Sequence, residues 1–218
     1  MPPGHRPPGH RAQVTPLERL PARAELKPRG SAIARLILRC FGWRLVFDGL
    51  PARQGVILVY PHTSNWDFVL GVLAKWGMGI EIRYWGKDSL FKVPLLGAWA
   101  RWIGGIPVDR HSKHGVVGQT AAQVRSARER GEAFWLAVAP EGTRSLTAGW
   151  RSGAYQVAVQ AGVPIGLASF DVATRRVTLT DFVVPTGDVA TDFATFQAVL
   201  GDKKGFRPHL ASPIQLKP

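Results

Sequence analysis

Cysteine is almost missing from this chain: Cys40 is the one thiol in 218 residues. That excludes an internal disulfide framework and leaves too few thiols for a structural zinc site, so a reducing, cytosolic compartment is expected. Long hydrophobic runs are missing too, since no window holds 18 uninterrupted apolar residues and the richest stretch, 68–80, is short and carries Lys75. No membrane-spanning helix is expected. The first thirty residues lack the apolar centre of a secretory signal and are dominated by Pro, Arg and Gly. They read as a disordered basic tail (1–30) ahead of one domain (31–218). Acids are scarce, 15 against 28 Lys and Arg, and the resulting formal charge of +13 favours an anionic partner. Charge alone does not choose between a phosphate-bearing substrate, an acidic membrane surface and a nucleic acid. There is no Gly-x-Ser-x-Gly nucleophile elbow and no repeat of solenoid period.

What is present is enough apolar material, 45% of residues, for the core of one domain. Strand-like runs recur at 45–47, 56–60, 80–85, 106–108, 134–138, 164–170 and 177–179, with helical stretches at 67–76, 95–102, 116–130 and 153–160. A late helix is expected over 185–200, capped by Thr186 or Asp188. This alternation predicts an α/β fold, a central mixed sheet flanked by helices. Near the start, Ser31 caps a helix whose apolar positions are Ile33, Leu36, Ile37, Cys40 and Phe41, with Arg35, Arg39 and Arg44 on its other side. Such a helix either lies in a membrane interface or docks on its own core.

Conspicuous polar residues collect where strands meet loops, the place an α/β architecture puts ligands. The first junction is Pro61-His62-Thr63-Ser64-Asn65-Trp66-Asp67, directly after the apolar run 56–60. A histidine fixed there, with an ordinary pKa of about 6.5, can take a proton from an alcohol while a carboxylate orients its ring. The plainer alternative is a helix N-terminus in which Ser64 or Asn65 caps and Asp67 complements the dipole. The second junction is Gly104 to Arg110, ending in Asp109-Arg110; the third is Ala139-Pro140-Glu141-Gly142-Thr143-Arg144-Ser145. A fourth, Val163-Pro164-Ile165-Gly166, is expected to start a strand near the same edge.

In order and spacing these blocks resemble the four sequence blocks of the glycerolipid acyltransferases, the superfamily of 1-acyl-sn-glycerol-3-phosphate acyltransferases, over about residues 56 to 170. Lys87-Asp88-Ser89-Leu90 is similar to the lysine-bearing stretch between the first two blocks. Ala139, where many members have Phe, and Ser89, where Glu is common, depart from the pattern. The resemblance implies transfer of a fatty acyl group from an acyl-CoA or acyl-carrier-protein thioester to a lysophospholipid hydroxyl, with no cofactor beyond that donor. It implies His62 as general base, Asp67 as the group that holds its tautomer, and direct attack without an acyl-enzyme. Arg110 and Arg144 are then the residues for the acceptor phosphate, since a planar guanidinium meets phosphate oxygens bidentately. Gly142 and Thr143 let backbone amides approach an anion, Glu141 locks the loop or binds acceptor hydroxyls, and Lys87 is a further cation. The implied location is cytoplasmic, peripheral on the inner face of an anionic membrane.

Two other functions compete: an acyl thioesterase, and a non-enzymatic binder of anionic membrane or nucleic acid, the latter without a recognisable nucleic-acid motif. His111 and His114 beside Asp109 make at most a weak metal site. Trp66, Trp76, Trp85, Trp99, Trp102, Trp135 and Trp150 are expected as core or interfacial anchors, some of them lining an acyl groove.

Overall fold

The apolar run at 56–60 becomes the middle of the sheet. In the computed structural model, which describes residues 19–23, 26–108 and 115–218, β2 (Gln54–Tyr60) lies between β5 (Phe134–Val138) and β6 (Ile165–Asp171), parallel to both. A strand buried on both faces needs apolar side chains at successive positions, not alternate ones. Val56, Leu58 and Tyr60 pack on one side with α5 (Gly115–Glu129), α6 (Gly153–Ala161) and α7 (Val189–Leu200). Ile57 and Val59 pack on the other with α1 (Ala32–Cys40) and α2 (Asn65–Met78).

Beyond β5 lie β3 (Ile82–Lys87) and β4 (Gly105–Val108), and beyond β6 lie β7 (Arg176–Val183) and β1 (Arg44–Phe47), giving the order β1-β7-β6-β2-β5-β3-β4. The chain is thus an α/β domain with a seven-stranded mixed sheet flanked by helices. Within this sheet every pairing of neighbouring strands is parallel except β6 with β7. Parallel pairing brings the C-terminal ends of β2, β3, β4 and β5 to one sheet edge, and with them the first and third polar junctions. It also corrects the fourth: Ile165 pairs with Val56 at the start of β2, so Val163-Pro164-Ile165-Gly166 sits at the opposite edge.

Local chemistry explains the other differences. The late helix begins at Val189, not 185, because the Asp188 carboxylate accepts the Ala190 and Thr191 N–H groups as an N-cap. Thr186 instead donates its N–H and hydroxyl to the buried Asp192. Two short helices follow β3, α3 (Asp88–Phe91) and α4 (Pro94–Trp102); four residues are too few for α3 to show a period. Part of the expected basic tail packs on the domain: Leu20 N–H donates to Phe182 O at 2.9 Å and Arg23 N–H to Leu50 O at 3.1 Å. Residues 1–18 lie outside the described residues.

Candidate active site

The Tyr60–Pro61 peptide bond is cis, and the loop after it runs straight into α2. Ser64 is the N-cap, its Oγ accepting the Trp66 N–H, and Asp67 reaches back to complete a capping box. Asp67 Oδ2 accepts the Thr63 N–H at 2.6 Å and the Ser64 N–H at 2.7 Å. The same oxygen lies 3.4 Å from His62 Nδ1. The carboxylate that caps α2 is thus also the one that lies beside the imidazole, the two readings left as alternatives by the sequence. It is fully buried and pinned by two amides, while His62 retains 18% of its side-chain surface. Asp67 Oδ1 is buried with no hydrogen-bond partner among the described residues.

Glu141 stands behind this loop. Its Oε1 accepts the His62 N–H at 2.6 Å and its Oε2 the Ser212 N–H at 2.8 Å. It is only 1% exposed and absent from the cavity wall, and both of its oxygens are turned to main-chain amides and not toward the cavity. Burial raises its carboxyl above the ordinary Glu range, outweighing the lowering by the two amides and the His62 ring. A proton held more tightly in the folded than in the unfolded chain gives stability that is complete below the ordinary Glu pKa and lost as pH rises through the raised one. Glu141→Gln therefore flattens the fall in stability as pH rises above the ordinary Glu pKa of about 4.3, read from urea midpoints across a pH series.

The C-terminal segment buttresses both loops, and nothing in the sequence announced it. Arg207 N–H donates to Thr63 Oγ1 at 3.1 Å, and Thr147 N–H donates to Ser212 Oγ at 3.1 Å. The chain passes Thr63 so closely at Gly205 that a Cβ there would lie 2.6 Å from Thr63 Oγ1. Most of these ties use main-chain donors, which leave no side-chain signature.

The third junction turns at Gly142, whose φ of +69° suits glycine. Arg151, missed by the sequence reading, packs over it: a Cβ on Gly142 would lie 2.7 Å from Arg151 Nε, and the Arg151 N–H donates to Pro140 O. Thr143, Arg144 and Arg151 line one cavity with His62 and Asp67. Neither Arg144 nor Arg151 has an ion-pair partner among the described residues. This cavity, of about 720 Å³, continues between α2 and the sheet along Phe68, Val72, Ile57, Val59 and Phe170. Lys75 also lines it, donating Nζ to Ile103 O at 2.7 Å, and burial lowers its pKa. Of the tryptophans, Trp85 lines the cavity, Trp135 and Trp150 are core, and Trp66, Trp76, Trp99 and Trp102 are exposed.

Lys87 ends β3 at the same sheet edge, paired with Val108 of β4, but its side chain is not among those described. Asp109, Arg110, His111 and His114 lie outside the described residues. Among the described residues no group of three His, Cys, Asp or Glu is placed to hold a metal.

An imidazole backed by a carboxylate at the end of a central parallel strand, with two arginines and an apolar channel beside it, defines a class. A family model described as Acyltransferase matches residues 45–166, more than half the chain, and the chain belongs to that family. It is 30% identical over 112 residues to the 1-acyl-sn-glycerol-3-phosphate acyltransferase of Salmonella typhimurium, covering 50% of this chain and 44% of the relative. It is 28% identical over 126 residues to the Escherichia coli (strain K12) protein of the same name, covering 56% and 49%. The match thus spans less than half the length of either relative. In fold it is similar to the crystal structure of the 1-acyl-sn-glycerophosphate acyltransferase from Thermotoga maritima, with a TM-score of 0.53 and 17% identity over 77% of this chain and 73% of that one.

Proposed function

We propose that this protein transfers a fatty acyl group from an acyl-CoA or acyl-carrier-protein thioester to the free hydroxyl of a lysophospholipid of the 1-acyl-glycerol-3-phosphate kind. The observation that carries the proposal is the meeting of His62, Asp67, Arg144 and Arg151 on the wall of one cavity with an apolar depth. The names of its relatives favour the same acceptor class.

With Nδ1 turned to Asp67, Nε2 is the ring nitrogen left for the acceptor. It takes the hydroxyl proton as the oxygen attacks the thioester carbonyl, and Asp67 stabilises the imidazolium that forms. Collapse of the tetrahedral intermediate breaks the C–S bond, and the departing sulfur recovers the proton from His62. Positioned proton transfer supplies about 10² to 10⁴ in rate. Holding thioester and alcohol together supplies more. No acyl-enzyme is involved: Cys40 closes α1, exposed and away from the cavity wall, and the chain has no serine elbow. Arg144 and Arg151 hold the acceptor phosphate, with Arg110 and Lys87 as further cations of the same site.

The test is thiol release from a long-chain acyl-CoA by purified protein, with and without 1-acyl-glycerol-3-phosphate. Release should require the acceptor and yield the diacyl product. Arg144→Ala should raise the acceptor KM by about tenfold to a hundredfold, the worth of a charge-assisted contact, with a smaller effect on kcat. Equal release without acceptor would make the protein a thioesterase.

A further inference from the structure

Thr63 is tied to both halves of the His62 and Asp67 pair. It follows His62 in the chain, and its N–H donates to Asp67 Oδ2 at 2.6 Å, the oxygen that lies 3.4 Å from His62 Nδ1. A displacement of Thr63 therefore moves the ring through the main chain and the carboxylate through a hydrogen bond. Thr63 is only 1% exposed and takes no part in the cavity wall. Its Oγ1 instead accepts the Arg207 N–H of the C-terminal segment at 3.1 Å.

That segment is fixed on either side of the contact. Upstream, the Lys204 N–H donates to Asp171 Oδ1 at 3.3 Å and Lys204 O accepts the Val172 N–H at 2.8 Å, which joins the segment to the C-terminal end of β6. Downstream, the Ser212 N–H donates to Glu141 Oε2, while Glu141 Oε1 accepts the His62 N–H. One 3₁₀ turn, Pro208–Leu210, separates the two ties, closed by the Leu210 N–H on Arg207 O at 2.9 Å, with proline fixing φ at its entry. His62 and Thr63 are thus held at two points of one segment, and a hydrogen-bonded turn sets the spacing between those points. Residues 204–212 lie beyond the stretch matched by the family model, 45–166.

We propose that Thr63 is a positioning residue for acyl transfer and that residues 204–212 form the clamp that sets it, so that the seating of His62 against Asp67 is governed from the C-terminal segment. Gly205 shows how close the clamp sits. A Cβ there would lie 2.6 Å from Thr63 Oγ1 and 2.9 Å from Pro61 Cγ, a short side chain and a ring, neither of which can swing aside. Ordinary contact between such atoms needs about 3.5 Å, so one added methyl pushes the His62 loop by about 1 Å. A misplacement of about 1 Å can cost about 10²-fold in rate. Thr63, Gly205 and Arg207 are all absent from the cavity wall, so the contacts that bind substrate stay in place. The positioning role rests on the acyl-transfer proposal; the clamp does not.

The experiment pairs transfer kinetics with amide hydrogen exchange, both on the full chain. Gly205→Ala should lower kcat by about tenfold to a hundredfold and leave the acceptor KM within about threefold of wild type. Thr63→Val, near in shape but without an acceptor for the Arg207 N–H, should lower kcat in the same way, and Thr63→Ser, which keeps the hydroxyl, should restore most of it. Amides of the peptide 61–68 should exchange about tenfold faster or more in Gly205→Ala and Thr63→Val, while those of β2 keep their wild-type protection. A purely structural role predicts another pattern, with β2 exchanging faster too and kcat per folded molecule unchanged, and that pattern would overturn the proposal. So would wild-type kcat and exchange in both variants, or a Thr63→Ser protein no better than Thr63→Val. Wild-type protein that transfers no acyl group sinks the transferase reading alone: the clamp then stands if exchange quickens only within 61–68 and falls if it does not.

Discussion

His62→Ala is expected to remove acyl transfer, lowering kcat by about 10² to 10⁴ or more, the share assigned to positioned proton transfer. Among the described residues the ring is the one basic group within ion-pair distance of Asp67, at 3.4 Å, and Asp67 cannot substitute for it because the carboxylate is fully buried, with Oδ2 held by the Thr63 and Ser64 amides. The loop should survive the change. Its ties run through the His62 main-chain N–H to Glu141 and through Thr63, neither of which needs the imidazole. Circular dichroism and the melting temperature should therefore stay near wild type while kcat collapses and the acceptor KM moves little. Asp67→Asn is expected to combine two losses, since it removes the charge that stabilises the imidazolium and disturbs the N-terminus of α2. A fall in activity with a lower melting temperature distinguishes it from the histidine variant.

Trp150→Ala should produce the largest loss of stability. Trp150 is 1% exposed and sits among the rings of Tyr60, Phe193 and Phe196, at centroid distances of 5.4, 5.8 and 6.4 Å. Truncating a buried tryptophan costs about 3 to 5 kcal/mol, against a whole-domain stability of about 5 to 15 kcal/mol. One feature offsets part of that: its Nε1 is buried without a hydrogen-bond partner among the described residues, and removing an unpaired donor recovers desolvation energy. At about 2 to 4 °C per kcal/mol for a chain of this size, the melting temperature should fall by about 10 °C. Trp150→Phe, which keeps a ring and deletes the orphan N–H, should cost much less. Activity should fall in Trp150→Ala as well, because the residue directly precedes Arg151 in the chain and its ring packs on Tyr60, two residues before His62.

The sequence made some of this legible because the chemistry is local. The His62 to Asp67 spacing spans one loop and the first turn of a helix, and a capping box fixes such a spacing in space without help from the rest of the fold. The run at 56–60 announced a buried strand, and the junctions after β2 and β5 fell on one sheet edge. What stayed illegible depends on partners distant in sequence. The ties from Arg207 and Ser212 to Thr63 and Glu141 use main-chain amides, and Arg151 reaches the site only because the chain folds back over Gly142. The fourth junction was misplaced because an apolar strand reads alike from either end, and only its register with β2 fixes the edge at which it starts. In α1 the period was legible but the direction of its stripe was left open: that Ile33, Leu36 and Ile37 turn outward, with Ala34 and Leu38 inward, is invisible until α2 is in place.

Direct transfer, with no covalent acyl group parked on the protein, is the step on which the account turns. The intact mass of wild-type protein after incubation with a long-chain acyl-CoA, first without acceptor and then with 1-acyl-glycerol-3-phosphate, reads it in one measurement. The account predicts an unchanged protein mass throughout, with free thiol and diacyl product appearing only in the second stage. A mass increase of one acyl group in the first stage, discharged when acceptor is added, would contradict it.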